Sequence, residues 1–424
     1  MTIRPSRRDI LLALAATATG CGLPREAGPA SPLFPLGVAC GDVSVNSADL
    51  WSAFLGPGPL TVRVWPRDDE TSAQTFDATL DDAGIGTTLV RTLSADTAYA
   101  YQFSGGDGVL SDVGLFRTPP TADTLKPLTF GVASCARQTE PLAPLAVVAE
   151  RYPLDALLYL GDTVYADGAK TLADYRGKWR EALARRPQRL IRGATSVIAT
   201  WDDHEVINDA SGDRLDPSML GAARTAFFEY QPVRPDAPTR LWRSLRWGKT
   251  AELFVLDCRG ERNHATREYM SREQMDWLKA GLASSDATFK LILNSVPISS
   301  YPGALFGAFS DDRWEGWPSQ RDELINFVDA NTSGVLWLTG DFHMGVAGRV
   351  ARTGPGSTQV EIAAGPAGSN LANPALSYPS PPQFDFASSI NNMVVLDLDP
   401  ATRAARVRFI ASNERVLFDH TYVV

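Results

Sequence analysis

Between residues 35 and 117 the chain alternates apolar and polar positions in short runs. Leu60-Thr61-Val62-Arg63-Val64-Trp65, Gly86-Thr87-Thr88-Leu89-Val90 and Tyr99-Ala100-Tyr101-Gln102-Phe103 each have the period-two pattern of a half-buried strand. Gly, Asp, Pro and Ser separate them at a spacing that predicts a small all-β sandwich over residues 35–120. The pattern changes at Pro127, after a polar linker. Continuous apolar runs predict buried strands at Leu128–Ala133, Ala156–Leu160, Ser196–Trp201, Ala251–Asp257, Phe289–Asn294 and Val335–Thr339. Amphipathic stretches predict helices at Leu142–Arg151, Ala173–Arg185, Met219–Tyr230, Ser271–Ala283 and Ser319–Ala330. Ser271 and Gln274 have the spacing of a capping box, with Met275, Leu278 and Leu282 repeating on one face. Strands return at Ser357–Ile362, Met393–Leu398, Ala405–Ala411 and Arg415–Tyr422. Strands alternating with helices predict a layered α/β domain over residues 127–424.

Composition narrows the function classes. At 424 residues the chain has room for two domains, and a formal charge of −9 argues against a nucleic-acid partner, which would need a basic footprint. An acidic protein still binds phosphate where metal ions or local arginines supply positive charge. The four cysteines, at 21, 40, 135 and 258, show no C-x-x-C and no disulfide framework. A single Cys40–Cys258 bridge stays open.

Residues 1–30 read as a targeting segment and stand apart from the fold. Ser6-Arg7-Arg8-Asp9 precedes a short apolar run and is similar to a twin-arginine export signal. Ala18-Thr19-Gly20-Cys21 resembles a lipoprotein cleavage site that would leave Cys21 as a lipid anchor; the alternative is an ordinary cut near Ala27 or Ala30. Either way the expected location is periplasmic or extracellular, reached through the twin-arginine machinery.

The predicted strands of the second region end in chemistry. Leu128–Ala133 runs into Ser134-Cys135, and Ala156–Leu160 into Gly161-Asp162-Thr163-Val164-Tyr165. Ser196–Trp201 runs into Asp202-Asp203-His204-Glu205, Phe289–Leu293 into Asn294, and Val335–Thr339 into Gly340-Asp341-Phe342-His343. Open α/β sheets place ligands beyond the carboxyl ends of their strands, so these segments should meet in one crevice. Taken singly, each has an ordinary reading: Cys135 as a core thiol, Asp162 and Asp341 as turn residues, Asp203 as a helix cap. Jointly they point to metal.

The same strings resemble a known family. Gly161-Asp162-x-x-Tyr165, Asp203-His204-Glu205 and Gly340-Asp341-x-His343 look like calcineurin-type and purple acid phosphatase metal motifs. Trp201-Asp202-Asp203-His204-Glu205 is the string most specific to the PhoD-like alkaline phosphatases and phosphodiesterases. Phe34 through Asp42, Ala133-Ser134-Cys135 and Val255-Leu256-Asp257-x-Arg259 also fit. The resemblance implies a four-layer α/β/β/α metallophosphoesterase sandwich, preceded by a fibronectin type III-like domain. Against the wider superfamily, Cys135 replaces an Asp-x-His start, Asp203 an Asn, and Asp341 a His.

Cys135, Tyr165, His343 and one oxygen of Asp162 form a donor set that suits Fe³⁺. The other oxygen of Asp162, with Asp203, Asp341 and either Asn294 or Asn208, forms an all-oxygen set that suits Ca²⁺. The resemblance implies the same iron–calcium pair. A zinc site is disfavoured by the single histidine ligand. Two such cations would clamp an in-line displacement at phosphorus, with His204 contacting the phosphoryl group or protonating the leaving alkoxide. Arg137 and Arg259 are the expected arginines at the crevice. The expected substrates are small phosphate mono- and diesters, with a phospholipid or cell-wall phosphodiester as an alternative. Loops 300–318 and 366–386 would form the rim. A non-catalytic surface lipoprotein is the rival reading.

Overall fold

Where the sequence places continuous apolar runs, the chain forms strands buried on both faces. This is seen in a computed structural model that describes residues 31–106, 108–234, 239–301, 310–369 and 379–424. The expected targeting segment with Cys21 lies outside the described residues, as do Phe306 and Phe309 of the expected rim.

Leu128–Ala133, Ala156–Leu160 and Ser196–Thr200 pair in parallel, with the antiparallel strands Asn392–Asp399, Ala404–Ala411 and Val416–Val423 continuing the sheet on one side. A second sheet of seven strands holds Ala251–Val255, Phe289–Leu293, Val335–Thr339 and Val360–Ala363 in parallel at its centre. Period two explains how the two sheets stack. Leu253, Leu291 and Leu336 join the core shared with Val132, Leu158 and Ile198 of the first sheet. Their neighbours Phe254, Ile292 and Trp337 point the other way, onto Met275, Leu278, Leu324 and Val328. Those last four lie on the helices Arg272–Ser284 and Pro318–Asn331. Helices Ala143–Arg151, Leu172–Leu183, Arg186–Ala194 and Pro217–Tyr230 contribute Leu145, Trp179, Ile191 and Phe227 to the larger core. The result is the expected α/β/β/α order. Each fully buried Leu, Ile or Phe contributes about 1.5–3 kcal/mol relative to exposure.

Toward the N-terminus, seven strands from Val38–Gly41 to Gly114–Arg117 surround a core of Phe34, Leu50, Val62, Tyr101 and Phe103. Gln74–Leu80 pairs with a strand of each sheet and so links the two faces of this sandwich. Val38–Gly41 pairs in parallel with Ser196–Thr200, with Cys40 opposite Ser196, so hydrogen bonding runs without a break from the sandwich into the first large sheet. Cys40 and Cys258 are both free thiols, which excludes the bridge left open by the sequence. Among the described residues no helix is long and apolar enough to cross a membrane.

One local expectation changed. Ser271 does cap its helix by accepting from Gln274 N–H (3.1 Å), but the Gln274 side chain does not return the bond. It donates instead to Asp257 O and Glu261 Oε2, and accepts from Asp257 N–H, so it holds a neighbouring loop. The reciprocal box sits at Thr171 and Asp174.

Candidate metal centre

The three parallel strands Leu128–Ala133, Ala156–Leu160 and Ser196–Thr200 end within reach of one another, because glycine permits it. Gly161 has φ +95°, and a β-carbon there would meet Asp202 Cβ at 2.5 Å. Gly340, ending Val335–Thr339 of the second sheet, leaves room for Ser134, whose Oγ would be 2.2 Å from a β-carbon. Beyond these glycines the backbone is strained. Cys135 (φ 54°), Asp162 (55°), Asp341 (61°) and His343 (50°) all adopt the left-handed region that non-glycine residues avoid. Such conformations persist where the surrounding structure over-determines them, and they collect at functional sites.

Glu205 is one source of that determination. Fully buried, its carboxylate accepts from Asp162 N–H (2.9 Å), Thr163 N–H (2.6 Å) and Asp202 N–H (2.9 Å), tying two strand ends together. Burial raises its pKa, against the three backbone donors. Gln138 plays the same part for Tyr165, donating to its carbonyl (3.0 Å) and accepting from its N–H (3.1 Å).

The donors converge as two groups that share Asp162. In the first, ligand atoms of Cys135, Asp162 and His343 lie within 4.8 Å of one another. Tyr165 Oη joins them, 3.1 Å from Asp162 Oδ2 and 3.0 Å from His343 Nε2, and Ser369 Oγ touches both Tyr165 and His343. In the second, Asp162, Asp203 and His204 meet, and Asp203 also meets Asp202 and Asp341 at the same spacing. Burial first, then neighbouring acids, pushes Asp162 well above the usual carboxylate range, and Cys135 and Tyr165 rise for the same reasons. Asp341 is pushed up to about 7, chiefly by burial and then by Asp312. Acids packed this closely and this dry cannot all ionise unless cations stand among them. A thiol, a phenol, an imidazole and shared carboxylates are the donor chemistry of a two-metal centre, so the residues fit a pair of metal ions.

The other expected residues are placed as follows. His204 stacks on the Tyr165 ring (4.0 Å, 29°), and its Nδ1 lies 2.7 Å from Asp167 Oδ2. Burial alone would lower the His204 pKa, but the bond to Asp167 and the nearby acids raise it. Arg137 lies over the Tyr165 ring at 4.7 Å; its buried Nε has no hydrogen-bond partner, and among the described residues it forms no ion pair. Arg259 is almost wholly buried and faces carboxylates, bonding Asp202 (2.6 Å), Asp312 and Asp341 (3.3 Å). It therefore balances charge within the protein rather than standing open to a substrate. Asn294 gives its amide oxygen to Trp314 Nε1–H (3.1 Å) and Cys258 S–H (2.9 Å). Asn208 is exposed, and its backbone N–H donates to Asp167 (2.8 Å). The structure brings neither asparagine into hydrogen-bond contact with the clustered ligand carboxylates. Asp202, Asp167, Glu205, Gln138 and Ser369 had no assigned part in the sequence reading.

A family model described as PhoD-like phosphatase matches residues 130–404. Alkaline phosphatase D of Bacillus subtilis (strain 168) is 27% identical over 378 residues, covering 73% of this chain but only 64% of that protein. A solved structure of PhoD superposes with a TM-score of 0.78 at 22% identity, covering 93% of this chain and 89% of the other. A purple acid phosphatase from yellow lupin (Lupinus luteus) seeds superposes with a TM-score of 0.69 at 13% identity, over 91% and 73%. At those identities the two structures establish a shared fold, the metallophosphoesterase-like sandwich.

Proposed function

The chain belongs to the PhoD-like phosphatase family, and from that membership we propose that it is an exported phosphoric ester hydrolase of alkaline-phosphatase type. It would act on phosphate mono- and diesters at a dinuclear Fe³⁺/Ca²⁺ centre. The observation that carries the reading is the convergence of Cys135, Asp162, Tyr165 and His343 beside Asp203 and Asp341. Cys135, Tyr165, His343 and Asp162 would hold the iron. Asp162, Asp203 and Asp341 would hold the calcium, with Asp202 adjacent. The metals would supply Lewis-acid polarisation of a phosphoryl oxygen and offset the charge of the buried acids.

The chain's own residues do the rest. The Asp167 carboxylate is held below its usual range by the bond to His204, against the effect of burial. It is therefore ionised and accepts a hydrogen bond from Nδ1–H, which fixes the tautomer and leaves Nε2 to hold or release a proton at the leaving oxygen. Arg137, without an anionic partner among the described residues, is the side chain available to a phosphoryl oxygen. Export is supported by Ser6-Arg7-Arg8 ahead of the apolar run.

Elemental analysis of the folded protein, paired with assays on an aryl phosphate, a bis-aryl phosphate and phosphatidylcholine, tests the proposal. Iron with calcium, a visible charge-transfer band and turnover of the first two substrates are expected. A colourless, iron-free protein with full activity would overturn the metal assignment. Turnover of phosphatidylcholine alone would move the assignment to a phospholipase D-type activity, and no turnover with both metals bound would favour a non-catalytic lipoprotein.

A further inference from the structure

Phe342 separates Asp341 and His343, one proposed ligand from each half of the centre, and both neighbours are in the left-handed region (φ 61° and 50°). Two left-handed residues flanking a third gain from an anchor, since even Asp and His, which tolerate that region better than most non-glycine residues, are held there at some energetic cost. The turn itself supplies little. Phe342 N–H donates to Gly340 O (2.7 Å), and Gly340 N–H to Ser295 O (2.9 Å).

The Phe342 ring supplies more. It stacks on Tyr301 at 4.2 Å and 23°, and Tyr301 stacks in turn on Phe384 at 5.1 Å and 8°. Tyr301 and Phe384 are only 4% and 2% exposed, and they come from different parts of the second half of the chain. The guanidinium of Arg313 sits over Tyr301 and Phe342 at 5.8 and 5.7 Å. Arg313 is itself fixed by Glu315 (2.7 Å), which also accepts the Tyr301 N–H (3.0 Å). One ring is thus clamped at its far side, while the residues before and after it point into different halves of the metal cluster.

We infer that Phe342 is a positioning residue: its stack holds Asp341 and His343 in fixed relation, and so couples occupancy of the two metal positions. The inference rests on the metal reading above and deepens it. Mere core packing would be served by any apolar side chain of similar volume. A stack requires a ring.

The test uses the full chain carrying Phe342→Ala, Phe342→Leu and Phe342→Tyr, with the unaltered protein as control. Iron and calcium affinities are measured separately by chelator competition, alongside the charge-transfer spectrum and the melting temperature of the metal-free protein. Phe342→Ala should weaken both metals by about tenfold or more, the size of effect seen when an outer-shell partner is lost, and should shift the band. Phe342→Tyr should restore affinities and spectrum to near the control. Phe342→Leu should resemble Phe342→Ala in affinity while keeping the metal-free melting temperature. If the control binds both metals and Phe342→Ala binds them equally well, the inference fails and the metal reading stands. It fails likewise if Phe342→Leu rescues as fully as Phe342→Tyr. Should Phe342→Ala not fold, the Leu-against-Tyr comparison decides. A control that holds no metal overturns the metal reading itself, and the inference with it.

Discussion

Cys40 in the sandwich and Cys135 in the crevice are both free and fully buried, yet their surroundings differ in kind. Cys40 belongs to a core with Phe34, Val38, Leu50 and Val62, and the acids that act on it, Asp49 and Asp42, are tied to Arg234 and Arg243. Cys135 faces Ser134 Oγ at 3.1 Å and shares a metal-sized space with Asp162 and His343. Burial raises both thiols, so an elevated pKa does not tell them apart. Their neighbours do. The sandwich buries few polar side chains, and Ser52 and Thr118, the driest of them, each donate to a backbone carbonyl. At the crevice Asp162, Asp202, Asp203 and Glu205 are all at most 3% exposed, and Arg259 is the cation that pairs with both Asp202 and Asp341. Stability alone would not select such a cluster, because buried like charges are costly unless compensated. One region is built to fold, the other to hold cations.

Asp162→Ala puts that contrast to its hardest test. It removes the residue that both donor groups share, so both metals should be lost and kcat/KM should fall by about 10³-fold or more. The metal-free variant should be at least as stable as metal-free unaltered protein, since a buried repelling charge has been deleted. Elemental analysis and metal-free melting curves read both effects. Retention of either metal at full stoichiometry, or a less stable metal-free variant, would mean that Asp162 serves the fold as the sandwich residues do.

Asp167→Asn probes the crevice without touching a proposed ligand. An amide can offer its N–H to the ring as readily as its oxygen, so the His204 tautomer is no longer fixed. We expect kcat to fall by about 10–100-fold while metal content is unchanged. Unaltered kcat would show that His204 takes its orientation from its stack on Tyr165 alone.

How much of each region the sequence disclosed follows from the same contrast. The strand ends bearing Cys135, Asp162, Asp203, Asp341 and His343 were legible, because continuous apolar runs point at them and Gly precedes two of them. Asp202 was passed over because it and Asp203 are consecutive, and strand periodicity stops at Thr200, so nothing local says which faces inward. Asp167 and Gln138 act through contacts spanning 37 and 27 residues and, for Asp167, a further one spanning 41, and the chain carries no periodic sign of either. Helix Arg186–Ala194 was invisible for another reason. It buries Gln188, Arg189 and Arg192 beside Leu190 and Ile191, so the buried face is not apolar in pattern. Strand Arg243–Trp247 alternates, but with arginines on an edge, where Arg243 bonds Asp42 of the sandwich (2.7 Å).

The cysteine pair gives a more moderate test. Cys40→Ala should cost about 1–2 kcal/mol of stability, the scale of a small core truncation, and leave metal content and activity unchanged. Cys135→Ser should reverse the pattern, with a weakened charge-transfer band and lower iron affinity but little change in metal-free stability. Urea titration and iron analysis of both variants decide it; equal effects on stability would erase the distinction between the two thiols.

The smallest effect belongs to charges lying outside both regions. Glu323 bridges the two helices behind the second sheet, accepting from Arg272 (2.8 and 2.9 Å) and from Lys279 (2.7 Å). The Arg272 bond, foremost, holds its carboxyl at about 2, against 4.5 for an unperturbed Glu. A folded pKa below the unfolded one stabilises the protein above the unfolded pKa, and that gain is lost as pH falls through the folded value. The Glu323 contribution should therefore be full at neutral pH, begin to decline near 4.5 and vanish toward about 2. With its side chain 32% exposed, solvent screening limits the gain to about 0.5–1 kcal/mol. Glu323→Ala should then lower stability by that amount at neutral pH, by less in acid and by less in high salt. Metal content should not change. A loss persisting undiminished in acid would show that Glu323 acts through packing of its stem. Loss of metal on Glu323→Ala would extend the crevice network to the outer helices, and the division between the two regions would no longer hold.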